Sequence, residues 1–406
     1  MNRLAQAPLV LATLLFLSFP AAVGTANTLM ALFLIAFILT GNYRERWQAI
    51  RGNPVIMAAL LLYGVILLGI SYSSAPVWDI ALHVNKYSKL FFAALLFSVL
   101  GDRDWQRRCM HAYAAAMLFI LASTWLNLWF VLPWSKTQVP GWGLSHHVFG
   151  DYITQNVMMS FFVLLALVHA RAQESGAGRA AWLAIALLAA VSITHLSQGR
   201  SGYLLLATAL LIFAFAALRG KALWGMLIAS VLGLGLALSS SPLLMQRFEK
   251  AVVEARQGDA DNQTAIGHRL YNYKKVPELI MEKPLLGWGT GAYHTEICRI
   301  VEKPEWCKIF NWHPHNQFLF FGTDHGLLGM LAYAALLASM VWLALRDKEP
   351  GSRTLLLGLA GLLAVDSLAN SPLWSTRENH FFTFMLALLA ARSGLALRRN
   401  QGSPRA

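Results

Sequence analysis

Residues 313–345 read HPHNQFLFFGTDHGLLGMLAYAALLASMVWLAL, so a polar stretch with two imidazoles leads directly into a long apolar run. A run of this length is enough to cross about 30 Å of hydrocarbon as a helix. His313 and His315 are therefore expected where a membrane helix meets water. An imidazole changes its charge near neutral pH, and titratable groups at such a boundary usually have a function.

Apolar runs of this kind recur along the whole chain. Of its 406 residues, 57% are hydrophobic and 13% are charged, whereas about a quarter of the residues in soluble proteins are charged. The composition predicts an all-α integral membrane protein with about 12 transmembrane helices. The predicted helices lie over residues 8–24, 26–42, 54–71, 84–100, 109–131, 153–170, 180–196, 203–218, 223–240, 323–345, 354–370 and 380–396.

The net charge of +13 raises the question of a nucleic-acid partner, and the distribution of the basic residues answers it. They concentrate at the two termini and in every second loop, which by the positive-inside rule places both termini in the cytoplasm with an uncleaved first helix. The segment 241–315 then faces the opposite compartment. It carries ten Lys or Arg against nine Asp or Glu, so a surface that follows nucleic-acid phosphates is excluded.

This pattern divides the chain into three parts. Residues 1–240 form transmembrane helices 1–9, residues 241–315 form a large extramembrane loop, and residues 316–406 form helices 10–12 with a cytoplasmic tail. Within the loop, hydrophobic spacing predicts one helix over 243–255 and a second over 267–281 that is broken near Pro277. Residues 284–293, PLLGWGTGAY, are too rich in glycine for a helix and predict a tight loop.

Two of the three cysteines, Cys298 and Cys307, lie in the extramembrane loop. An oxidising exterior permits a disulfide, which would hold down a segment without a core of its own. Two unpaired thiols are the alternative.

Four cations are candidates for binding a phosphate group. Arg200 lies in a very short outer turn with no acidic residue nearby in sequence, so a lipid head group or a substrate phosphate is its expected partner, with a structural ion pair as the alternative. Arg269 and Tyr273 share one face of the second loop helix, which suits a pyrophosphate or a sugar, although a solvated helix face is equally compatible. Lys86 and Lys89 stand at the outer start of the fourth run.

Asp102 with Asp104, and Asp259 with Asp261, match the paired carboxylates of metal-dependent sugar transferases only weakly. The first pair is cytoplasmic, and the second lies in a sequence typical of turns. The sequence therefore predicts no metal and no other cofactor.

His315-Asn316, followed after nine residues by Gly326 and after two more by Gly329, resembles the signature of the O-antigen ligase and polymerase superfamily. The upstream segment Pro284–Gly289 and the Arg200-x-x-x-Leu204 stretch agree with that family's pattern. The resemblance implies a fold similar to the helical, lipid-phosphate-dependent glycosyltransferases (GT-C-like). It also implies an undecaprenyl-pyrophosphate-linked glycan as the donor and the bilayer of the bacterial inner membrane as the location, with the active site on the periplasmic face.

Chain length and the single loop resemble most closely the members that act as lipopolysaccharide O-antigen ligases, whose acceptor is the lipid A core oligosaccharide. Under this hypothesis His315 is the general base, and His313 or Asn316 fixes the tautomer of its ring. Arg200 and Arg269 bind the pyrophosphate from two sides. Gly326 and Gly329 support the site, and a single displacement inverts the anomeric centre. An O-antigen polymerase and a protein O-oligosaccharyltransferase remain alternatives, as does a transporter or flippase that forms no bond.

Overall fold

Helices are the only regular elements in the part of the chain that the computed structural model describes. It describes the backbone of residues 3–257 and 264–401, and their side chains except those of residues 3–5, 255, 257 and 394–401. The described helices are α1 (Arg3–Ser18), α2 (Val23–Thr40), α3 (Tyr43–Arg51), α4 (Pro54–Leu68), α5 (Val77–Val99), α6 (Arg103–Leu126), α7 (Tyr152–Ala172), α8 (Gly176–His195), α9 (Arg200–Ala217), α10 (Gly220–Ser240), α11 (Pro242–Gln257), α12 (Ala265–Glu282), α13 (Tyr293–Ile300), α14 (Cys307–Phe310), α15 (Gln317–Arg346), α16 (Pro350–Ala369) and α17 (Thr376–Gln401), with short 3-10 helices at Gly69–Tyr72 and Pro304–Trp306.

Every predicted apolar run overlaps one of these helices. The described residues have no regular elements other than helices, and the chain is a multi-pass membrane protein. Within the described residues, nine helices are long and apolar enough to cross a membrane: α2, α4 with the 3-10 turn that follows it, α6, α7, α8, α9, α10, α15 and α16. The predicted runs in α1, α5 and α17 fall outside these nine. Helix α5 carries Asp79, Lys86 and Lys89, which lower its hydropathy. The count of twelve stays a prediction.

Helix α7 lies at the centre of the bundle. Its Phe161, Phe162 and Leu164 side chains are completely buried. Helix α16 approaches it closely at Gly358, where a Cβ would lie 1.9 Å from Cδ2 of Leu164. By contrast, α10 has Ala237 as its one buried residue in the described chain. Its apolar face is therefore left for lipid.

The segment between α10 and α15 has a small core of its own. The rings of Tyr271 and Phe310 stack at 4.3 Å, and the buried Tyr293 hydroxyl donates to the Phe310 carbonyl over 2.9 Å. A disulfide joins Cys298 to Cys307 and connects the end of α13 to the start of α14. These contacts hold the polypeptide that leads into the His313 region.

The helix predicted over 243–255 is confirmed as α11. The break predicted near Pro277 is wrong, because α12 continues through this proline to Glu282. A proline removes one backbone donor and tends to kink a helix, but packing on both sides keeps α12 continuous, since Val276 and Leu279 are fully buried. The Gly-rich segment is a loop over residues 284–292, as expected, and three of its glycines have positive φ.

Candidate active site

His315 has a left-handed backbone, with φ of 53°, at the entrance to α15. Among the described non-glycine residues, only Asn42 shares this conformation. The conformation costs on the order of 1 to 3 kcal/mol, and it persists only where surrounding contacts impose it. Here the backbone N–H of His315 donates to Nδ1 of His313 over 3.1 Å, so the His313 side chain helps to fix the His315 backbone.

Asn316 caps the start of α15. Its Oδ1 accepts the N–H groups of Phe318 at 2.9 Å and Leu319 at 3.0 Å, which makes it the N-cap of α15. Those backbone donors have no partner inside the helix, and a capping side chain satisfies them. The Oδ1 atom of Asn316 is therefore used by the helix, and a role of its amide group in fixing the His315 tautomer stays a prediction.

Three imidazoles form a cluster at this point. The ring centre of His315 lies 4.2 Å from that of His313 and 4.9 Å from that of His268, which comes from the first turns of α12. His268 also packs against Phe310 at 4.5 Å. The cluster thus joins α12 to the segment that precedes α15.

All three imidazoles are neutral at physiological pH. Burial lowers the pKa of His315 far below its ordinary value of 6.5, and His313, His268 and Arg269 lower it further. Burial, with His268 and Lys86, lowers the pKa of His313 to about 3. Burial and the neighbouring Arg269 lower that of His268 to about 4. Loss of hydration disfavours the charged ring, and nearby positive charge adds to the effect.

Arg269 lies beside this cluster and connects α12 to the end of α16. Its Nε donates to the Ala369 carbonyl over 3.0 Å, and Tyr273, one helical turn later, donates to the Leu368 carbonyl. Both residues therefore share one helix face, where they satisfy carbonyls that a helix end leaves unpaired. Within the described chain, the two terminal nitrogens of Arg269 make no hydrogen bond. They can therefore bind an anion.

Arg200 has a protein partner, contrary to the expectation of a phosphate or lipid head group. Its two terminal nitrogens donate to Glu254 over 2.9 and 3.1 Å, and Glu254 is 3% exposed. Burial raises the pKa of Glu254, but the bonds and charge of Arg200, the Ile266 N–H and the charge of Lys250 together hold the pKa below its ordinary value. The structural ion pair is thus what the fold displays. It ties the start of α9 to α11.

The two lysines separate. Lys86 donates to the Trp374 carbonyl over 2.8 Å and lies 4.4 Å above the Trp374 ring, close enough to His313 to influence its titration. Lys89 is buried and donates to the Asn85 carbonyl of its own helix over 2.7 Å. The structure therefore brings Lys86 close to the cluster, whereas the Lys89 ammonium group bonds to its own helix.

Gly326 interrupts α15 with a φ of 58°. The Gly-rich loop supplies the hydrogen bonds that the broken helix loses: Leu327 N–H donates to the Pro284 carbonyl over 2.7 Å, and Gly289 N–H donates to the Asp324 carbonyl over 2.7 Å. At membrane depth every backbone group needs such a partner. Gly329 follows one turn later, where a Cβ would lie 2.5 Å from that of His325. Both glycines allow close packing.

Several residues around the site had little or no signal in the sequence analysis. Glu254 pairs with Arg200, and Asp324, His83 and His294 form a buried polar group beside the cluster. Two signals were available in the sequence. His83 stands with Lys86 and Lys89 at the outer start of the fourth apolar run, and Asp324 is an acidic residue inside an otherwise apolar run. The pair Asp259 and Asp261 lies outside the described residues, and no group of three His, Cys, Asp or Glu side chains suited to a metal ion occurs in the described chain.

The fold and this polar cluster define a multi-pass membrane protein with a candidate active site at the end of its helical bundle. Residues 184–334 match the family described as O-antigen ligase, which confirms the resemblance to the O-antigen ligase and polymerase superfamily. The matched region contains Arg200, Arg269 and the segment from His313 to Gly329. Lys86 lies outside it.

No curated protein matches the chain. Among solved structures, a chain described under "Structural coordination of polymerization and crosslinking by a peptidoglycan synthase complex" is similar at 15% sequence identity. Its TM-score is 0.46, and the similarity covers 86% of this chain and 98% of the other.

Proposed function

We propose that this protein is a glycosyltransferase that moves O-antigen polysaccharide from undecaprenyl-pyrophosphate to the lipid A core oligosaccharide. The reaction takes place on the periplasmic face of the bacterial inner membrane. The observation that carries the proposal is the left-handed His315, held by His313 beside Arg269. Strain of this kind at a titratable side chain points to a functional role.

In this mechanism His315 removes the proton from an acceptor hydroxyl. The oxygen then attacks the anomeric carbon, the bond from that carbon to the phosphate oxygen breaks, and undecaprenyl pyrophosphate leaves. A single displacement inverts the anomeric centre. Arg269 stabilises the charge that develops on the leaving diphosphate, and Lys86 adds a second positive charge near His313.

The low pKa of His315 is compatible with its role as the general base. Without substrate the ring is neutral and has a free lone pair, but it is a weak base. A bound diphosphate places negative charge next to the cluster, and opposite charge within about 4 to 6 Å favours the protonated ring. The donor thus raises the basicity of His315 at the moment when the base is needed.

Arg200 is assigned a supporting role, since its terminal nitrogens are bound to Glu254. Its contribution to the diphosphate is then indirect, through the position of α11 and α12. Because Arg269 and Lys86 supply positive charge at the cluster, the transfer is proposed to need no metal ion.

The test combines purified protein in liposomes with the lipid-linked glycan and rough lipopolysaccharide. The wild type is expected to attach glycan to the lipid A core, and His315→Ala is expected to insert and fold but lose transfer. A matched control is His146→Gln, because His146 is fully buried outside the cluster. Wild-type turnover by His315→Ala would exclude the base assignment.

The same reaction mixture separates the alternatives. Longer lipid-linked chains without modified core would indicate a polymerase, and transfer only to an added protein acceptor would indicate a protein O-oligosaccharyltransferase. A transporter would form no new bond. Addition of EDTA is expected to leave turnover unchanged, and recovery by magnesium after a loss would contradict metal-independent transfer.

A further inference from the structure

A buried polar chain runs from the middle of the protein to the segment that carries His315. Asp324 of α15 lies 3.1 Å from Nδ1 of His83 on α5, within ion-pair range although not aligned as a hydrogen bond. Nε2 of His83 lies 2.9 Å from Nε2 of His294 on α13. Nδ1 of His294 in turn contacts the carbonyl oxygen of Asn311.

The Asn311 carbonyl fixes where the protons must be. A carbonyl only accepts, so Nδ1 of His294 carries a proton, and in a neutral ring Nε2 of His294 is then an acceptor. Nε2 of His83 must therefore be a donor. If His83 were neutral, its Nδ1 would be bare and would face the carboxylate of Asp324 at 3.1 Å, which is repulsive.

Asp324 is itself arranged as an anion. Its Oδ2 accepts the N–H of Gly291 over 3.1 Å, and its Oδ1 accepts the N–H of Tyr293 over 2.8 Å. Asp324 is 2% exposed and belongs to a helix that is apolar enough to cross the membrane. A carboxylate in such surroundings requires a positive partner, and His83 is the adjacent titratable group.

We propose that His83 is a buried imidazolium that neutralises Asp324 and orients His294, so that His294 holds the Asn311 carbonyl and with it the strained His315 segment. His83 and Asp324 are positioning residues. They do not belong to the cluster of His268, His313 and His315. They act on it through His294 and the polypeptide from Asn311 to His315.

The surroundings support this assignment of charge. Burial lowers the pKa of His294, and the neighbouring His83 lowers it further, so His294 is the neutral ring of the pair. Trp374 at 4.5 Å and Phe320 at 5.4 Å cover His83, which is 0% exposed, and shield it from water. The other titratable groups facing this chain include Tyr72, Asp79, Tyr87, Tyr293, His313 and His325.

Nitrogen NMR of protein labelled at histidine tests the charge directly, since the shift of a ring nitrogen shows whether it carries a proton. The protein is purified in liposomes at pH 8 through a tag without histidine. We expect one of the 12 histidines to have both ring nitrogens protonated. This signal should disappear in His83→Gln and in Asp324→Asn and remain in His146→Gln.

A wild-type spectrum without an imidazolium at pH 8 would overturn the proposal even if the variants fail to fold. An imidazolium that survives unchanged in both His83→Gln and Asp324→Asn would overturn it as well.

The positioning role rests on the proposed function and has a separate readout. Asp324→Asn is expected to lower kcat about 10-fold to 100-fold, the range for groups that orient a functional side chain, while KM for the lipid-linked donor changes less than about two-fold. Unchanged kcat would remove the positioning role and leave the imidazolium in place. A wild type without transferase activity would refute the proposed function, whereas the NMR result would still stand.

Discussion

Gly326 and Leu285 are in direct backbone contact: a Cβ on Gly326 would lie 2.5 Å from the carbonyl carbon of Leu285. The Gly-rich loop therefore fits into the break of α15 only because residue 326 has no side chain. The positive φ of Gly326 adds a second reason, since other residues adopt it at a cost.

Gly326→Ala is accordingly expected to destabilise the protein by at least about 2 kcal/mol, because a backbone group cannot move aside as a flexible side chain does. Thermal unfolding of the purified protein in detergent measures the effect. Gly225→Ala in α10 is the matched control, since its Cβ would meet nothing within 4 Å. Equal midpoints for the two variants would contradict this account of the loop.

The Arg200–Glu254 ion pair predicts a strong energetic coupling. Glu254→Gln leaves the Arg200 charge, 20% exposed, without its partner, and this costs more than the loss of a surface pair. A double-mutant cycle with Arg200→Gln is expected to give a coupling energy of about 1 to 3 kcal/mol. The exposed Arg107–Asp104 pair serves as the comparison, with about 0.5 kcal/mol or less.

Activity in the same cycle separates the two roles of Arg200. If the pair acts only on structure, the double variant recovers much of the transfer that Arg200→Gln loses. A double variant that is stable but remains inactive would show that Arg200 contacts the substrate, as the sequence analysis proposed.

Acid is expected to weaken the fold around the histidine cluster. The pKa of His268 decreases from 6.5 to about 4 on folding, so between these values the unfolded chain binds a proton that the folded chain does not. The contribution is complete above about pH 6.5 and is lost as the pH falls toward 4. The unfolding midpoint should thus decrease between pH 7 and pH 4.5.

His268→Phe should show a smaller decrease over the same range, because phenylalanine keeps the packing on Phe310 and does not titrate. His111→Gln, an exposed position on α6, should behave as the wild type does. An equally steep pH dependence in His268→Phe would assign the effect to other groups.

The length and spacing of the apolar runs were sufficient to predict an all-helical membrane protein, whereas the side of the membrane on which the segment between α10 and α15 lies stays a prediction. Each apolar run is long, and the membrane leaves few alternatives to a helix. The sequence could not show that α15 breaks at Gly326, because the break depends on hydrogen bonds from a loop about 40 residues earlier. Local pattern carries no information about such a partner.

The candidate site was predictable only where its residues are close in sequence or lie on helices that were themselves predicted. His313, His315 and Arg269 lie near one another as expected, since the histidines are neighbours in sequence and α12 packs on the start of α15. The partner of Arg200 was missed because Glu254 is 54 residues away, and only the tertiary fold brings it close. The Asp324–His83–His294 chain likewise joins three elements that have no sequence pattern in common.

Arg269 and Tyr273 provide a matched pair for the anion-binding role. Both contact carbonyls at the end of α16, but only Arg269 carries charge and free terminal nitrogens within the described chain. If those nitrogens bind the diphosphate with a charge-assisted bond of about 1.5 to 3 kcal/mol, Arg269→Ala should lower kcat/KM by about 10-fold to 150-fold. Tyr273→Phe, which loses only its carbonyl contact, should stay within about three-fold of the wild type. Equal losses in both variants would mean that Arg269 acts by holding α12 in place, and steady-state assays with the lipid-linked donor distinguish these outcomes.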